Sequence, residues 1–499
     1  MQVQPRQFIS FDGSTRLNGF EAKPEHYRYF DELSNKFADA SGKRSRQDAG
    51  APGIAAEHVQ TTDTCENGAN RKSDTKNAPI DSENFNPAVI SRGAGLSYAA
   101  ASFGEKVCSV DHAQFNRILN FSKEQKLIEV EAGISLGKLY DFLIEHDLFL
   151  ATQPGHPRIT VGGCIAPDIH GKNQFMDGTC INQVESLKLF HPSHGIIELS
   201  PHSNEELFRL TCGGYGLTGN IISCKLKLKS IPSNMAEVTL RPLNRIEELP
   251  AMLRASADKA DFIYSWHDFN VRGKDFGKGF VQEGRFIESG SRPAEQATAT
   301  RKKAADQTLK AETRGGLPFP IFNPLSVAIM NALYGAKGAN GSSFEMSLFD
   351  SVFPIQNVKE LYFKFFGAAG FHEYQVVIPE SNFGTYIEGI RHALKRHSLP
   401  ITLASAKLFS GKRDLLRFTG DGICFAINFA RGEEASKLLK ELDQLVIRCD
   451  GAPNIIKDSR LSKEVVAACY PEYDLFRSQL RQFDPKRIYQ SELAERLAL

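Results

Sequence analysis

The chain carries no excess of charge: 60 Lys+Arg oppose 59 Asp+Glu, a formal net charge of +1 over 499 residues. Without a global basic field, no nucleic-acid partner is expected, and a charged ligand must be held locally. No run of about 18 apolar residues occurs, so no membrane-spanning helix is read from the sequence, and the first residues, MQVQPRQFISFDG, have no apolar signal core. The nine cysteines are odd in number and scattered, with no CxxC pair and no Cys/His zinc spacing. They read as reduced thiols of a cytoplasmic protein, and no metal site is expected. Tryptophan occurs once, as Trp266. Large apolar side chains are scarce from about residue 41 to 86, where a disordered insertion is expected because too little surface can be buried to offset the entropy of ordering. A second stretch, about 289–316, is charged and rich in Gly, Ala and Thr, and reads as a mobile loop.

The length exceeds the ~250–300 residues at which single cores stop growing, which predicts two or three domains. From Ala88, short β-rich runs (AVIS, KVCSV, LIEVEAG) alternate with amphipathic segments such as SLGKLYDFLIEHD. This α+β pattern continues through NIISCKLKLKS to a boundary at Ile231-Pro232-Ser233. The region from about Met235 repeats strand, helix and paired strands, predicting an antiparallel sheet covered by helices on one face. The domains are accordingly 1–232, 233–450 and a C-terminal segment, 451–499, in which DPKRIYQSELAERLAL reads as helical with Ser491 as its N-cap.

The most informative window is Pro154–Asn173, PGHPRITVGGCIAPDIHGKN, read as glycine-rich turns around short apolar strands with His170 and Lys172 near its end. Its glycines, Gly155, Gly162, Gly163 and Gly171, allow φ > 0 and close approach to a flat or charged ligand. Gly214-Tyr215-Gly216-Leu217-Thr218-Gly219 matches GxGxxG literally but precedes an alternating strand, whereas the dinucleotide fold needs a helix there. The segment RGAGLSY, Arg92 to Tyr98, follows the strand AVIS, places Tyr98 at the third glycine position and reads as a tight loop. Backbone N–H groups around Gly93 and Gly95 can form an anion-binding concavity without a helix dipole. Three such loops together suggest a binding site, although each alone fits a plain connection between strands.

RGAGLSY, LIEVEAGISLGKLYDFL, QPGHPRITVGGCIAPDIHGKN and CGGYGLTGNIISCKLKL occur in the order seen in flavoenzymes of the vanillyl-alcohol oxidase type, which the chain resembles. The likeness extends to YSWHDFNVRGK, EYQVVIP, AKLFSGKRD, IKDSR and DPKRIYQSELAERL, where it is closest to members that oxidise a polyprenyl-phosphoribose. This resemblance implies a PCMH-type FAD-binding domain of two subdomains over 1–232, rejoined by 451–499, with a substrate domain over 233–450 between them. Arg92, Gly93, Ala94, Gly95, Leu96, Ser97 and Tyr98 would then cradle the pyrophosphate. Pro154, Gly155, Thr160, Gly162, Gly163, His170, Gly171, Lys172 and Asn173 would line the flavin and its ribityl chain, with Gly213, Gly214, Gly219 and Ile221 near the adenosine. Relatives that bind FAD covalently have His where Leu96 stands, so noncovalent FAD is implied.

Hydride transfer from a secondary alcohol leaves negative charge on the flavin, which a lysine can stabilise. The resemblance gives that place to Lys457 and brings Lys407 to the substrate. In the apolar strand ITLASAKLF, a core-facing Lys407 would be costly unless used or paired, and burial could lower its pKa toward proton acceptance. Tyr98 and His170 are further candidates for contact with the reacting hydroxyl or the flavin. Gln375 and Trp266 resemble pocket-wall residues. The matching family strand carries Asn and Cys where this chain has Cys424 and Ala426, which puts the identity of the sugar in question. The implied activity is oxidation of the C2 hydroxyl of a polyprenylphosphoryl-β-D-ribofuranose, completed to the arabinose form by a separate NAD(P)H-dependent short-chain reductase. Such a substrate would bring a cytoplasmic protein to the inner face of the membrane. An aldonolactone or alditol oxidase with a soluble sugar substrate, and a non-catalytic flavin-binding scaffold, are the alternatives.

Overall fold

Strands whose side chains alternate in polarity organise three larger sheets in the computed structural model. Residues 3–24, 29–30, 32, 88–288, 317–355 and 361–499 are described, so the disordered insertion expected at about 41–86 and the mobile loop expected at about 289–316 lie outside the described residues. The first sheet runs Val3–Ile9, Arg16–Ala22, Cys108–Asp111, Val89–Arg92; its first pairing is antiparallel and the other two parallel. The second, antiparallel throughout, runs Ile118–Ser122, Leu127–Glu131, Asn220–Lys227, Val184–His191, Gly195–Leu199. Asn220–Lys227 is the strand that directly follows the GxGxxG segment, as expected from its alternation.

The third sheet has eight strands in the order Ser342–Ser347, Met235–Leu243, Gly279–Phe286, Phe262–His267, Leu403–Phe409, Gly422–Ala430, Phe371–Ile378, Ala452–Pro453, and every pairing is antiparallel. Strand periodicity divides its side chains. Ala404, Ala406, Ile423, Phe425, Ile427, Val376 and Ile378 form one core with residues of the helices Leu249–Ala257, Glu380–Arg396 and Glu433–Arg448. Helix Glu433–Arg448 buries Leu438, Leu439, Leu442, Leu445 and Val446, the spacing of a single apolar stripe. On the alternate positions the register sets Lys407 opposite Cys424, Ser405 opposite Ala426 and Leu403 opposite Asn428, with Val377, Gln375 and Glu373 on the next strand. That second face is polar near its middle, which is where a ligand can be met.

One-sided helical cover was expected, and the second face departs from it at one end. Helix Pro324–Gly338, started by an Asn323–Ser326 capping box, lies there, with Gly335 3.3 Å from a Trp266 ring atom at its ideal Cβ and Gly338 pressed on Phe280. The C-terminal tail is also less helical than expected. Tyr489 bridges Val89 and completes the edge of the first sheet, so only Glu492–Arg496 forms a helix, with Ser491 Oγ accepting from Ala494 N–H. No helix among the described residues is long and apolar enough to cross a membrane.

Candidate active site

A cleft of about 1300 Å³, counted to its open mouth, runs between the first two sheets and reaches Lys457. Strand Val89–Arg92 delivers the loop that forms one wall, and all seven residues from Arg92 to Tyr98 line it. Arg92 turns back beneath its own loop: its guanidinium donates to Ser102 Oγ at 3.0 Å and lies 5.0 Å from the Phe8 ring centroid. Burial pushes its pKa down to about 10, which leaves it cationic at neutral pH. Gly95, at φ 64°, passes over that guanidinium where a Cβ would collide with it.

The facing wall is formed by Pro154, Gly155, His156, Ile159, Thr160, Gly162 and Gly163. Val161–Ile165 is a short helix rather than a turn between strands, and its N-cap is Thr160, whose hydroxyl accepts from Gly163 N–H at 3.1 Å. None of Gly155, Gly162, Gly163 and Gly171 has a positive φ. Their missing side chains permit close approach instead: a Cβ on Gly162 would lie 3.1 Å from that of Ala132, and one on Gly93 would overlap the Thr160 hydroxyl. Tyr215, Gly216, Gly219 and Ile221 line the cleft on the second sheet.

Six expected contacts are absent from the lining: His170, Gly171, Lys172, Asn173, Gly213 and Gly214. Lys172 donates to the Ser351 carbonyl at 2.7 Å and lies 5.4 Å from the Tyr264 ring centroid. Asn173 donates to the Ala151 carbonyl and to Asp177, and Gly171 makes room for the Asn173 side chain. Gly213, at φ 97°, turns against Arg417, while Gly214 packs on the Leu210 carbonyl. These five are explained by turn geometry and packing.

His170 belongs instead to a polar cluster on the second face of the eight-stranded sheet. Lys407 Nζ lies 3.4 Å from His170 Nε2, and the imidazole packs edge-on to Phe409 at 4.9 Å. Burial, then the charges of Lys407 and Lys457, push the His170 pKa well below its ordinary value. A neutral ring with its proton on Nδ1 therefore accepts from the Lys407 ammonium. Burial also lowers the Lys407 pKa, against the opposing pull of Cys424 and Glu373. Cys424, cross-strand from Lys407, sits among Val377, Phe409 and Phe418 with its thiol pKa pushed up to about 12 by burial, so it stays protonated.

Lys457 joins cleft and cluster. Its ammonium lies 3.7 Å from the centroid of Tyr98 and 3.3 Å from Glu373 Oε1. The turn Ile455–Lys457 is set by Asn454, which accepts from Ile456 N–H at 3.2 Å and donates through Nδ2 to Gln375 Oε1 at 2.6 Å. Gln375 thus anchors the lysine turn from within the sheet. Tyr98 is stacked on Phe11 at 4.8 Å and meets Phe371 edge-on at 5.3 Å. Trp266, expected at a pocket wall, is 3 % exposed and enclosed by Phe280 and Tyr334 beneath helix Pro324–Gly338. The Glu373 ion pair, the Asn454 tie and His156 were not anticipated. Glu373 shares a strand face with Gln375, but its partner is 84 residues away (457 − 373), a contact that periodicity cannot supply.

The lining fits a long cofactor with a phosphate-bearing middle: glycine backbone at the narrow points, a half-buried arginine under the loop and an apolar floor of Ala132, Ile159 and Ile221. Residues 82–200 match the family model described as an FAD binding domain. The chain is an FAD-binding oxidoreductase. It is similar over most of its length to decaprenylphosphoryl-beta-D-ribose oxidase of Mycolicibacterium smegmatis, at 27% identity over 415 residues, 82% of this chain and 89% of that protein. Shorter matches join it to L-galactono-1,4-lactone dehydrogenase 2 of Oryza sativa mitochondria (30% over 167 residues, 34% of this chain and 26% of that protein). L-gulonolactone oxidase of Mus musculus is 32% identical over 166 residues, 32% of this chain and 36% of that protein.

Proposed function

We propose that this protein oxidises a secondary hydroxyl of a sugar to a ketone, and that its substrate is a polyprenylphosphoryl-β-D-ribofuranose attacked at C2. The observation that carries the reading is Lys457, held by Glu373 over Tyr98 where the cofactor cleft meets the Lys407–His170 cluster. FAD, when bound, supplies the acceptor for the hydride. The first two sheets would act as the two subdomains that hold it, with Arg92 to Tyr98 the residues that would bind the pyrophosphate and Pro154 to Gly163 those that would bind the flavin. Attachment is noncovalent: Leu96 stands in the loop and offers no nucleophile.

In the reaction one C–H bond and one O–H bond break and one C=O bond forms; the hydride leaves from carbon and the proton from oxygen. Lys407 in its neutral form takes the hydroxyl proton, and His170, neutral at the same pH, fixes the amine by their hydrogen bond. Glu373 holds the Lys457 ammonium in place, and that ammonium stabilises negative charge that grows near the end of the cleft. Gln375 positions the Lys457 turn through Asn454. A separate NAD(P)H-dependent reductase would return the ketone to the opposite alcohol.

The lactone-oxidase matches favour a second reading, a soluble aldonolactone or alditol substrate, but they span only about a third of this chain. Anaerobic mixing separates the two. Bleaching of the flavin by polyprenyl-phosphoribose and not by lactones or alditols supports the lipid-linked sugar; the reverse pattern supports the soluble one.

A further inference from the structure

We propose that helix Pro324–Gly338, with the Phe319–Ile321 approach to it, is a docking face for the surface of an anionic lipid bilayer. The proposal rests on the lipid-linked substrate read above for its purpose, and on separate observations for its location. Leu325, Ile329 and Leu333 are 70%, 53% and 69% exposed and recur at i, i+4 and i+8. Ala328, Ala332 and Ala336 between them are exposed as well, so one apolar strip runs down the solvent side of a 15-residue helix about 22 Å long. The inward side is accounted for by folding: Val327 and Met330 join Phe322, Phe371 and Tyr98 in one cluster. The outward strip has no such account, and Phe319 and Ile321 extend it.

Charge and size select the occupant. From 317 to 341 there is no Asp or Glu and a single lysine, Lys337, so this segment carries no carboxylate to repel an anionic headgroup. The preceding segment, 289–316, contributes six Lys/Arg against three Asp/Glu in sequence, an excess of the sign that such a surface attracts. That segment has one large apolar residue, Leu309. A second copy of the chain is disfavoured because stable interfaces engage about 20–30 residues a side, many more than one helix face provides. A helix lying flat with its apolar face ~5–10 Å into the headgroup boundary needs only the strip that is present. Its inner side touches the cluster that holds Tyr98 beneath Lys457, so a sugar carried on a membrane lipid would be presented beside the reactive cluster.

The test is co-sedimentation of the full-length, FAD-loaded protein with vesicles of phosphatidylcholine alone or mixed with phosphatidylglycerol, without substrate. The expected result is binding that strengthens with phosphatidylglycerol and falls at least tenfold in Leu325→Glu/Ile329→Glu/Leu333→Glu, with FAD content and Tm retained. The single change Leu325→Glu should give an intermediate loss. Oxidation of a short-chain, water-soluble prenyl-phosphoribose should be equal in parent and triple variant. Failure of the parent to sediment, or equal sedimentation of the triple variant, overturns the docking face. A concentration-dependent dimer abolished by the same substitutions, without vesicle binding, would also overturn it and assign the strip to a second copy. Vesicle binding combined with no oxidation of the soluble prenyl sugar would leave docking standing and overturn the substrate reading.

Discussion

Gly93→Ala tests whether the two cleft loops are locked together as the geometry requires. The added Cβ would overlap the Thr160 hydroxyl and lie 3.3 Å from Thr160 Cβ and Cγ2. Thr160 is not free to yield without loss, because its oxygen caps helix Val161–Ile165 through Gly163 N–H at 3.1 Å. Two costs therefore add: overpacking of about 1–3 kcal/mol and a lost N-cap of about 1 kcal/mol. The sum, roughly 2–4 kcal/mol, corresponds to about 30- to 1000-fold if expressed wholly as FAD affinity. Flavin fluorescence titration of the apoprotein measures that affinity, and thermal melting of the apoprotein measures the share that falls on stability. Thr160→Ala alone should cost about 1 kcal/mol. In the double variant the overlap is gone, so its loss should approach that of Thr160→Ala rather than the sum of the singles. Additive losses, or parental affinity and melting temperature in Gly93→Ala, would refute the claimed contact.

Other consequences concern charge. Lys457→Met should slow anaerobic flavin reduction by about 10²–10³, the usual effect of removing one preorganised electrostatic group, whereas Glu373→Gln should slow it less and Lys457→Arg should recover part of the rate; stopped-flow absorbance decides this, and a parental rate in Lys457→Met excludes the assigned role. Because burial lowers the Lys407 pKa and the neutral amine accepts the proton, the reduction rate should rise with pH through a value below the ordinary lysine range. Lys407→Met should abolish that limb, and an unchanged pH profile would remove Lys407 from the proton transfer. His267, enclosed with Ser265 Oγ at 2.8 Å and the Gly277 carbonyl at 3.1 Å, has its pKa pushed down to about 4 by burial. Its unfolded form binds a proton first as pH falls, so its stabilising contribution is present above about pH 6.5 and is lost between there and about pH 4, roughly 3 kcal/mol in all. Urea unfolding across that range should show a shallower acid loss in His267→Gln, and equal slopes would contradict the linkage.

The extent to which this was legible follows from how local each signal is. Glu433–Arg448 carries an apolar stripe that repeats over four turns, the kind of helical pattern that a sequence shows directly, and the GxGxxG segment is separated from a dinucleotide fold by the alternating strand after it. The Ser491 cap was legible, but the helix beyond it is short because Tyr489 is taken into the edge of the first sheet. Val161–Ile165 was misread because two adjacent glycines argue against helix, while a Thr160 cap and packing on Ala132 impose one. Trp266 looked like a pocket wall until helix Pro324–Gly338 closed over it. Lys457 and Lys407 could be singled out by likeness, yet their partners, Glu373 and His170, are brought near only by the tertiary fold.

The account is tested most directly by adding polyprenylphosphoryl-β-D-ribose to the purified, oxidised protein without oxygen while the flavin absorbance is followed. The account predicts a yellow protein whose FAD is released intact by acid, bleached by that substrate at a rate that Lys457→Met lowers, with the 2-keto sugar formed in equal amount. A flavin that stays oxidised with the ribose lipid but bleaches with a free lactone or alditol would contradict the assigned substrate, and a protein that cannot be loaded with FAD would contradict the assigned cleft.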